Sequence, residues 1–153
     1  MLDTIFWIIA VGYLIYLVYS RTTWFKDFEK EYEKLAKELR EDAEEDKKHA
    51  EKFSKHSTSQ EMAKESELRF RHFVKTHDDY LHLKERFRHN EKTSEIKSDW
   101  QAYIKAIKDL LESRMDYAAG VEGKLLQNAW GRDYKAKIVL VEIEKRFHKY
   151  LRG

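Results

Sequence analysis

The chain has 153 residues, with 30 Lys or Arg against 28 Asp or Glu, no Cys, no Pro and five Gly. The absence of Cys excludes disulfides, Cys-ligated zinc, iron–sulfur clusters and covalently attached haem. Scarce Gly and Pro argue against a turn-rich all-β fold, and the near-neutral charge argues against a general nucleic-acid binder. We expect no nucleic acid as a partner. We also expect an all-α protein, because residues 21–153 have the residue pattern of helices throughout.

The first element is an uncharged run of 17 residues, Thr4–Ser20, between Asp3 and Arg21. As a helix it spans about 26 Å, close to the thickness of a bilayer's hydrocarbon core. Its apolar residues fall on every side of the helix, whereas a helix lying on a membrane surface has one polar face. Residues 1–20 are therefore predicted to be a single transmembrane anchor in the lipid bilayer.

Two other interpretations of this run stay open. One is a cleaved signal peptide, since Val18-Tyr19-Ser20 loosely fits a cleavage site; however, no basic residue precedes the run, and it is long for a signal sequence. The other is a helix buried in the protein or against a partner, although such helices rarely have so long an unbroken apolar run.

The distribution of Lys and Arg predicts the orientation of the anchor. None precedes the run, whereas Arg21, Lys26, Lys30 and Lys34 follow it. The side of a span that is richer in basic residues stays inside. The soluble part is therefore expected on the cytoplasmic side, or on the matrix side of the mitochondrial inner membrane.

Residues 21–57 are predicted to continue the anchor helix as a charged stalk, because no helix breaker separates the two. Its apolar residues alternate spacings of three and four, a coiled-coil-like pattern formed by Phe25, Phe28, Tyr32, Leu35 and Leu39, and continued more thinly by Ala43, Ala50 and Phe53. The acidic run Glu41–Asp46 is interpreted as a solvated face, because six adjacent helical residues cannot all point one way.

Residues 58–153 are predicted to hold two or three amphipathic helices, at about 58–89, 94–119 and 124–151. Thr58 and Glu61 match a capping box at the start of the first. Its apolar face comprises Phe70, Phe73, Val74, His77, Tyr80, Leu81 and Phe87. His77 is interpreted as a hydrogen-bonded core histidine, with a pH-sensitive contact as the alternative.

The helix at 94–119 has the clearest helical period and is predicted to be the main packing element. Asn90, Thr93 or Ser94 is expected to cap its start, and Gly120 to follow its end. Its stripe is made of Ile96, Trp100, Tyr103, Ile104, Ile107, Leu110, Leu111, Met115 and Ala118.

The stretch 124–151 leaves one choice open, because residues 136–143 include the β-branched sequence Ile138-Val139-Leu140-Val141. A lone strand would have no partner in this chain, so a helix is favoured. Leu140, Ile143, Phe147 and Leu151 also fit helical spacing.

No set of residues indicates an enzyme, a cofactor site or a metal site. The sequence 120–124 resembles a phosphate-binding loop, but Ala118 and Leu125 stand where that loop needs Gly and Ser or Thr. Asp78, His82, Glu85 and His89 share one helical face, as metal ligands can. A single helix supplies ligands only along a line, so this pattern is interpreted as a solvated polar face.

Basic residues flank aromatic ones at three places: residues 69–72, 86–89 and 145–152. The first two are interpreted as packed Phe side chains with Arg stems beside them, and contact with RNA or lipid phosphate is the alternative. The third, Lys145–Arg152, is a possible phospholipid contact.

A short N-terminal span followed by a long charged helix is similar in plan to the b-type peripheral-stalk subunits of rotary ATP synthases. Those stalks are Ala-rich and poor in aromatics, whereas 14% of this chain is aromatic, and no motif of that family can be carried over. The expected function is a non-catalytic accessory or scaffold subunit of a larger membrane complex, for example one of respiratory or ATP-synthase type. The alternative is a membrane-tethered regulator or adaptor that binds a soluble protein through the aromatic face of helix 94–119.

Overall fold

The computed structural model describes residues 2–153, without the side chains of residues 2–5, 21, 22, 24 and 25. Its helices are α1 Leu2–Lys52, α2 Ser57–Arg86, α3 Lys92–Ala118 and α4 Gly123–Arg152. The all-α fold is therefore confirmed, and residues 136–143 are helical. Helix α1 runs without a break past Ser20, as predicted, but it ends at Lys52 and not at residue 57.

The chain divides into an N-terminal unit, Met1–Lys37, and a C-terminal unit, Glu38–Gly153. The C-terminal unit contains the last part of α1 together with α2, α3 and α4. Tyr80 of α2 stacks on Trp100 of α3 while the earlier Ser66 meets the later Arg114, so these two helices are antiparallel. The pairing of Arg132 with Asp116, and of residue 146 with residue 99, shows the same for α3 and α4. The unit is thus a bundle in which successive helices reverse direction.

The end of α3 is a Schellman motif centred on Gly120. This glycine has a φ of +69°, and its N–H donates to the carbonyl of Tyr117 at 3.1 Å. The next residue, Val121, donates to the carbonyl of Asp116 at 3.3 Å. These are the two bonds that close a helix through a left-handed residue, so the expected role of Gly120 is confirmed.

The starts of α2 and α3 differ from the predicted caps. The N-cap of α2 is His56, which makes no side-chain capping bond, and Thr58 already lies inside the first turn. The predicted capping box is therefore wrong, because Thr58 is past the position from which a side chain can cap. At α3, the Asn90 side chain accepts the N–H of Lys92 at 3.3 Å, while the Thr93 hydroxyl donates instead to the carbonyl of Phe87.

The core of the C-terminal unit follows the predicted stripes with a few corrections. Met115, expected inside, is 64% exposed, and Ala118, Leu81 and Phe53 are exposed as well. Towards the C-terminal end of α3 the buried residues Ile107, Leu110 and Ser113 are spaced three apart. This spacing is shorter than one helical turn, so the buried face shifts around the helix and Met115 is left outside. The buried apolar side chains of this unit are Leu39, Ala43, Ala50, Phe73, Tyr80, Leu83, Ile96, Trp100, Tyr103, Ile104, Ala106, Ile107, Leu110, Ala129, Ala136, Leu140, Ile143 and Phe147.

Over the part of the chain that the structure describes, no helix is long and apolar enough to cross a membrane. The predicted span Thr4–Ser20 begins with Thr4 and Ile5, whose side chains lie outside the described residues. The side chain of Phe25 in the predicted stalk also lies outside them.

Candidate functional site

An aromatic cluster around Trp100 lies where α2 packs on α3. Trp100 is fully buried, and its ring lies 5.1 Å from that of Tyr80 and 5.4 Å from that of Tyr103, with interplanar angles of 10° and 15°. Phe73 adds a third stacked ring at 6.2 Å. Helix α3 is therefore a main packing element, as predicted. Because this face is occupied inside the protein, it is not the docking surface that the regulator hypothesis expected on helix 94–119.

His77 lies at the edge of the aromatic cluster. Its ring is 5.4 Å from that of Trp100, and its Nδ1 is 4.0 Å from a carboxylate oxygen of Asp78. Burial lowers the pKa of His77 below its ordinary value, while the nearby Asp78 carboxylate opposes this change. The neutral imidazole is therefore the form that the fold favours.

A polar network joins α1, α2 and α3 within the C-terminal unit. The buried Ser66 hydroxyl donates to Asp46 at 2.5 Å and accepts from the Arg114 guanidinium at 3.0 Å. Arg114 also pairs with Asp42. Burial raises the pKa of Asp42 above its ordinary value, and the Arg114 charge partly offsets this rise. Two carboxylates of the predicted solvated face, Glu41–Asp46, are thus tied into the bundle, which corrects that interpretation for Asp42 and Asp46.

A second polar cluster lies between α2, α3 and α4. The Tyr103 hydroxyl donates to one oxygen of Glu144 at 3.1 Å, and the imidazole of His72 lies 3.3 Å from the other oxygen. Burial raises the pKa of Tyr103, so this phenol stays protonated as a donor. The buried Tyr103 hydroxyl is thus satisfied by the partly exposed Glu144 carboxylate, and the cluster links the three helices.

Ion pairs hold α3 against α4 along their length. Arg146 makes two bonds to the Asp99 carboxylate, at 3.0 and 2.8 Å. Near the other end, Arg132 pairs with Asp116 and with Glu112, the latter at 3.2 Å. Paired bonds of the Arg146 kind fix geometry better than a single contact does.

The two Arg-Phe-Arg-His segments behave largely as packed aromatics with Arg nearby. The guanidinium of Arg40 lies 5.3 Å from the Phe70 ring, and that of Arg86 lies 5.4 Å from the Phe87 ring. Arg86 also donates to the carbonyls of Tyr150 and Leu151, at 3.3 and 3.1 Å. It therefore satisfies free carbonyls at the end of α4 and offsets the negative end of the helix dipole.

The predicted polar face of α2 does not come together as a site. Asp78, His82 and Glu85 are exposed, and His89 lies beyond the end of the helix. Glu85 instead faces Arg88, at 3.6 Å. Within the described residues, no group of three or more side chains is arranged to hold a metal ion.

An open groove of about 410 Å³ runs between α1 and α3 in the C-terminal unit. One side carries the α1 carboxylates Glu38, Glu41, Asp42 and Glu45, and the other carries Leu111, Arg114, Met115 and Ala118. Asp42 pairs with Arg114 in this groove. The groove is amphipathic and acidic, and it lies towards the C-terminal end of α3, whereas the Asp99–Arg146 pair lies nearer the start of that helix.

The outward face of α4 carries several large apolar side chains that are exposed. Trp130, Tyr134, Ile138 and Val141 are 41–68% exposed and fall within a narrow arc of the helix, on the side away from Leu140 and the other buried positions. Trp130 and Tyr134 lie in the stretch 124–151, which the sequence predicts to be a helix. Their exposure could not be predicted, because the direction of α4's buried face depends on how the bundle packs.

No protein-family model, curated protein or solved structure matches this chain.

Residues that the sequence patterns missed are chiefly the small and polar members of the core. Ser66, Thr76 and Ser113 are all buried. Each stands on a helix at a position that an apolar pattern skips, and the Ser113 hydroxyl bonds back to the Leu110 carbonyl at 2.8 Å. A search for hydroxyl residues at core spacing would have found them.

Proposed function

We propose that this chain is a membrane-anchored, single-pass, non-catalytic accessory or scaffold subunit of a larger membrane protein complex. The anchor is the run Thr4–Ser20, and the C-terminal unit is the part that meets other subunits on the inner side of the membrane. A complex of the respiratory or ATP-synthase type is one host that suits the plan of the chain, by analogy alone.

The observation that carries the proposal is the exposure of apolar side chains in the N-terminal unit. From Phe6 to Tyr19, every residue except Ala10 and Gly12 is a large apolar or aromatic side chain, and each is 41–69% exposed. Such a surface in water costs about 25 cal/mol per Å² of apolar area. Monomeric soluble proteins rarely expose contiguous apolar patches of this kind. The sequence extends the run by Thr4 and Ile5 to a length that matches a bilayer.

The described polar groups support a structural rather than a catalytic role. The carboxylates Asp42, Asp46, Asp99 and Glu144 each face a hydroxyl or a cation of another helix. Contacts of this kind lock helices in register, whereas a catalytic carboxylate has to face a substrate.

Purification of the tagged full chain in mild detergent, followed by native mass spectrometry, tests the proposed role. We expect stoichiometric co-purification with larger membrane proteins. A Lys64→Gln variant, altered at an exposed side chain of α2, serves as the control for nonspecific loss of partners. A chain that purifies alone or as a solitary dimer would contradict the subunit role.

The second candidate is a membrane-tethered regulator or adaptor of a soluble protein. Its expected docking face on helix 94–119 is buried, so this role has to use another surface. The exposed aromatics Trp130 and Tyr134 of α4 keep the candidate open. Stoichiometric recovery of a soluble protein, lost on Tyr134→Ala, would favour it over a subunit role.

A further inference from the structure

We infer that the outward face of α4 binds the surface of an anionic phospholipid bilayer. This face is separate from the proposed anchor Thr4–Ser20, and the inference stands or falls on its own. It concerns a peripheral contact by a helix of the bundle, not a span.

The apolar part of the face has the shape of an interfacial helix. Trp130, Tyr134, Ile138 and Val141 follow one another at intervals of four, four and three residues, so they form one stripe along the helix. A Trp and a Tyr at the water-facing side of a helix are amphipathic rings suited to the headgroup region. Interfacial helices bury such a stripe about 5–10 Å into the boundary of headgroups and acyl chains.

The charged part of the face is almost entirely basic. Helical geometry at 100° per residue places one acidic residue, Glu142, among the outward positions of α4, which is described throughout. The basic residues at or beside the outward positions are all exposed and form no ion pair within the described chain: Lys124, Lys135, Lys145, Lys149 and Arg152. The acids and cations on the other side of α4 are paired, as Arg146 is with Asp99. The free positive charge of α4 is thus collected on the side that carries the exposed apolar stripe.

This combination favours a lipid surface over other anionic partners. A nucleic-acid contact would use the basic residues but would leave Ile138 and Val141 in water. A soluble acidic protein would need a shaped, complementary surface, whereas the exposed stripe and the lysines lie on one face of a single helix. An anionic bilayer suits both the apolar stripe and the basic residues of this face. It accepts apolar side chains, and it attracts Lys and Arg at about 1 kcal/mol each.

Fluorescence of Trp130 in the full chain tests the inference. The substitutions Trp7→Phe and Trp24→Phe leave Trp100 and Trp130 as the fluorescent residues. A second chain that also carries Trp130→Phe gives the fluorescence of the buried Trp100 alone, which is subtracted. Each is reconstituted into phosphatidylcholine vesicles with and without phosphatidylglycerol, using brominated acyl chains as quenchers. We expect bromolipid to quench Trp130 strongly in the anionic vesicles and weakly in the neutral ones, with the difference suppressed by salt.

Two pairs of lysines provide the matched variants. Lys145→Gln with Lys149→Gln removes two charges from the outward face and should lower the docking constant by about 25-fold, at about fivefold per charge. Lys64→Gln with Lys75→Gln removes two exposed charges that share one face of α2 and should leave the quenching unchanged. Circular dichroism of both variants verifies that the bundle is intact.

Several results would overturn the inference. One is no quenching of Trp130 in either vesicle, and another is equal quenching in both. A third is a Trp130 response to an oligonucleotide or to a co-purified protein but not to lipid, which would assign the face to that partner. Failure of the anchor is visible separately: a chain without an inserted span would float with anionic vesicles only, through α4, and not with neutral ones.

Discussion

Replacement of Trp100 by Ala tests whether the aromatic cluster holds the C-terminal unit together. The indole is fully buried and stacks on Tyr80, Tyr103 and Phe73. Truncation of a buried Trp to Ala costs about 3–5 kcal/mol, because transfer energy is lost and a cavity remains. Loss of the stacked pairs, at about 0.5–1.5 kcal/mol each beyond their area, favours the upper end.

The assay is thermal unfolding of the full chain in detergent micelles, followed by far-ultraviolet circular dichroism. A loss of this size lowers Tm by roughly 10–20 °C for a unit of this length. Trp130→Ala is the matched control, because its side chain is 58% exposed, and it should change stability by less than about 0.5 kcal/mol. Equal effects of the two substitutions would refute the assignment of Trp100 to the core.

Three other changes are followed by the same unfolding assay. Arg114→Met leaves Asp42 without its cation and should cost about 1–3 kcal/mol, less than for a fully buried pair because both side chains are a quarter or more exposed; no loss would mean that the network adds nothing. Gly120→Ala should cost about 1–2 kcal/mol, because φ is +69° and no neighbouring atom is in the way, whereas Gly131→Ala in the middle of α4 should gain about 0.5–1 kcal/mol; the same sign for both would contradict the backbone explanation. The lowered pKa of His77 favours its neutral form in the fold, so its contribution to stability is present above the ordinary histidine pKa and is lost as pH falls through the lowered value. Between about pH 7.5 and about pH 5, the wild type should therefore lose more stability than His77→Phe, and parallel curves would argue against this.

The helices and the main core stripe could be predicted from the sequence because they rest on local patterns. Apolar spacing placed α3 and its Trp100 face, and the lone Gly120 marked the end of that helix. Such signals depend on residues close together in the chain. For the same reason α4 could be favoured as a helix over a strand.

The surfaces that suggest function could not be predicted in this way. The side of α4 that faces outward depends on how Leu140 and Phe147 pack against the other helices. This is tertiary packing, which local sequence patterns do not determine. The Asp42–Ser66–Arg114 network joins residues from three helices, and no spacing in the sequence connects them. Met115 was misplaced because the buried face of α3 turns at its end, which a fixed helical period does not foresee.

Alkaline carbonate extraction of native membranes tests the central claim, the anchor at Thr4–Ser20, most directly. High pH and salt release proteins held by surface charge, including any held through α4 alone, but leave spanning helices in the bilayer. We predict that the full chain stays in the membrane pellet and that Ile9→Arg, which costs about 2.5–3.5 kcal/mol at the centre of a span, shifts it towards the supernatant. Complete release of the wild-type chain into the supernatant would contradict the account.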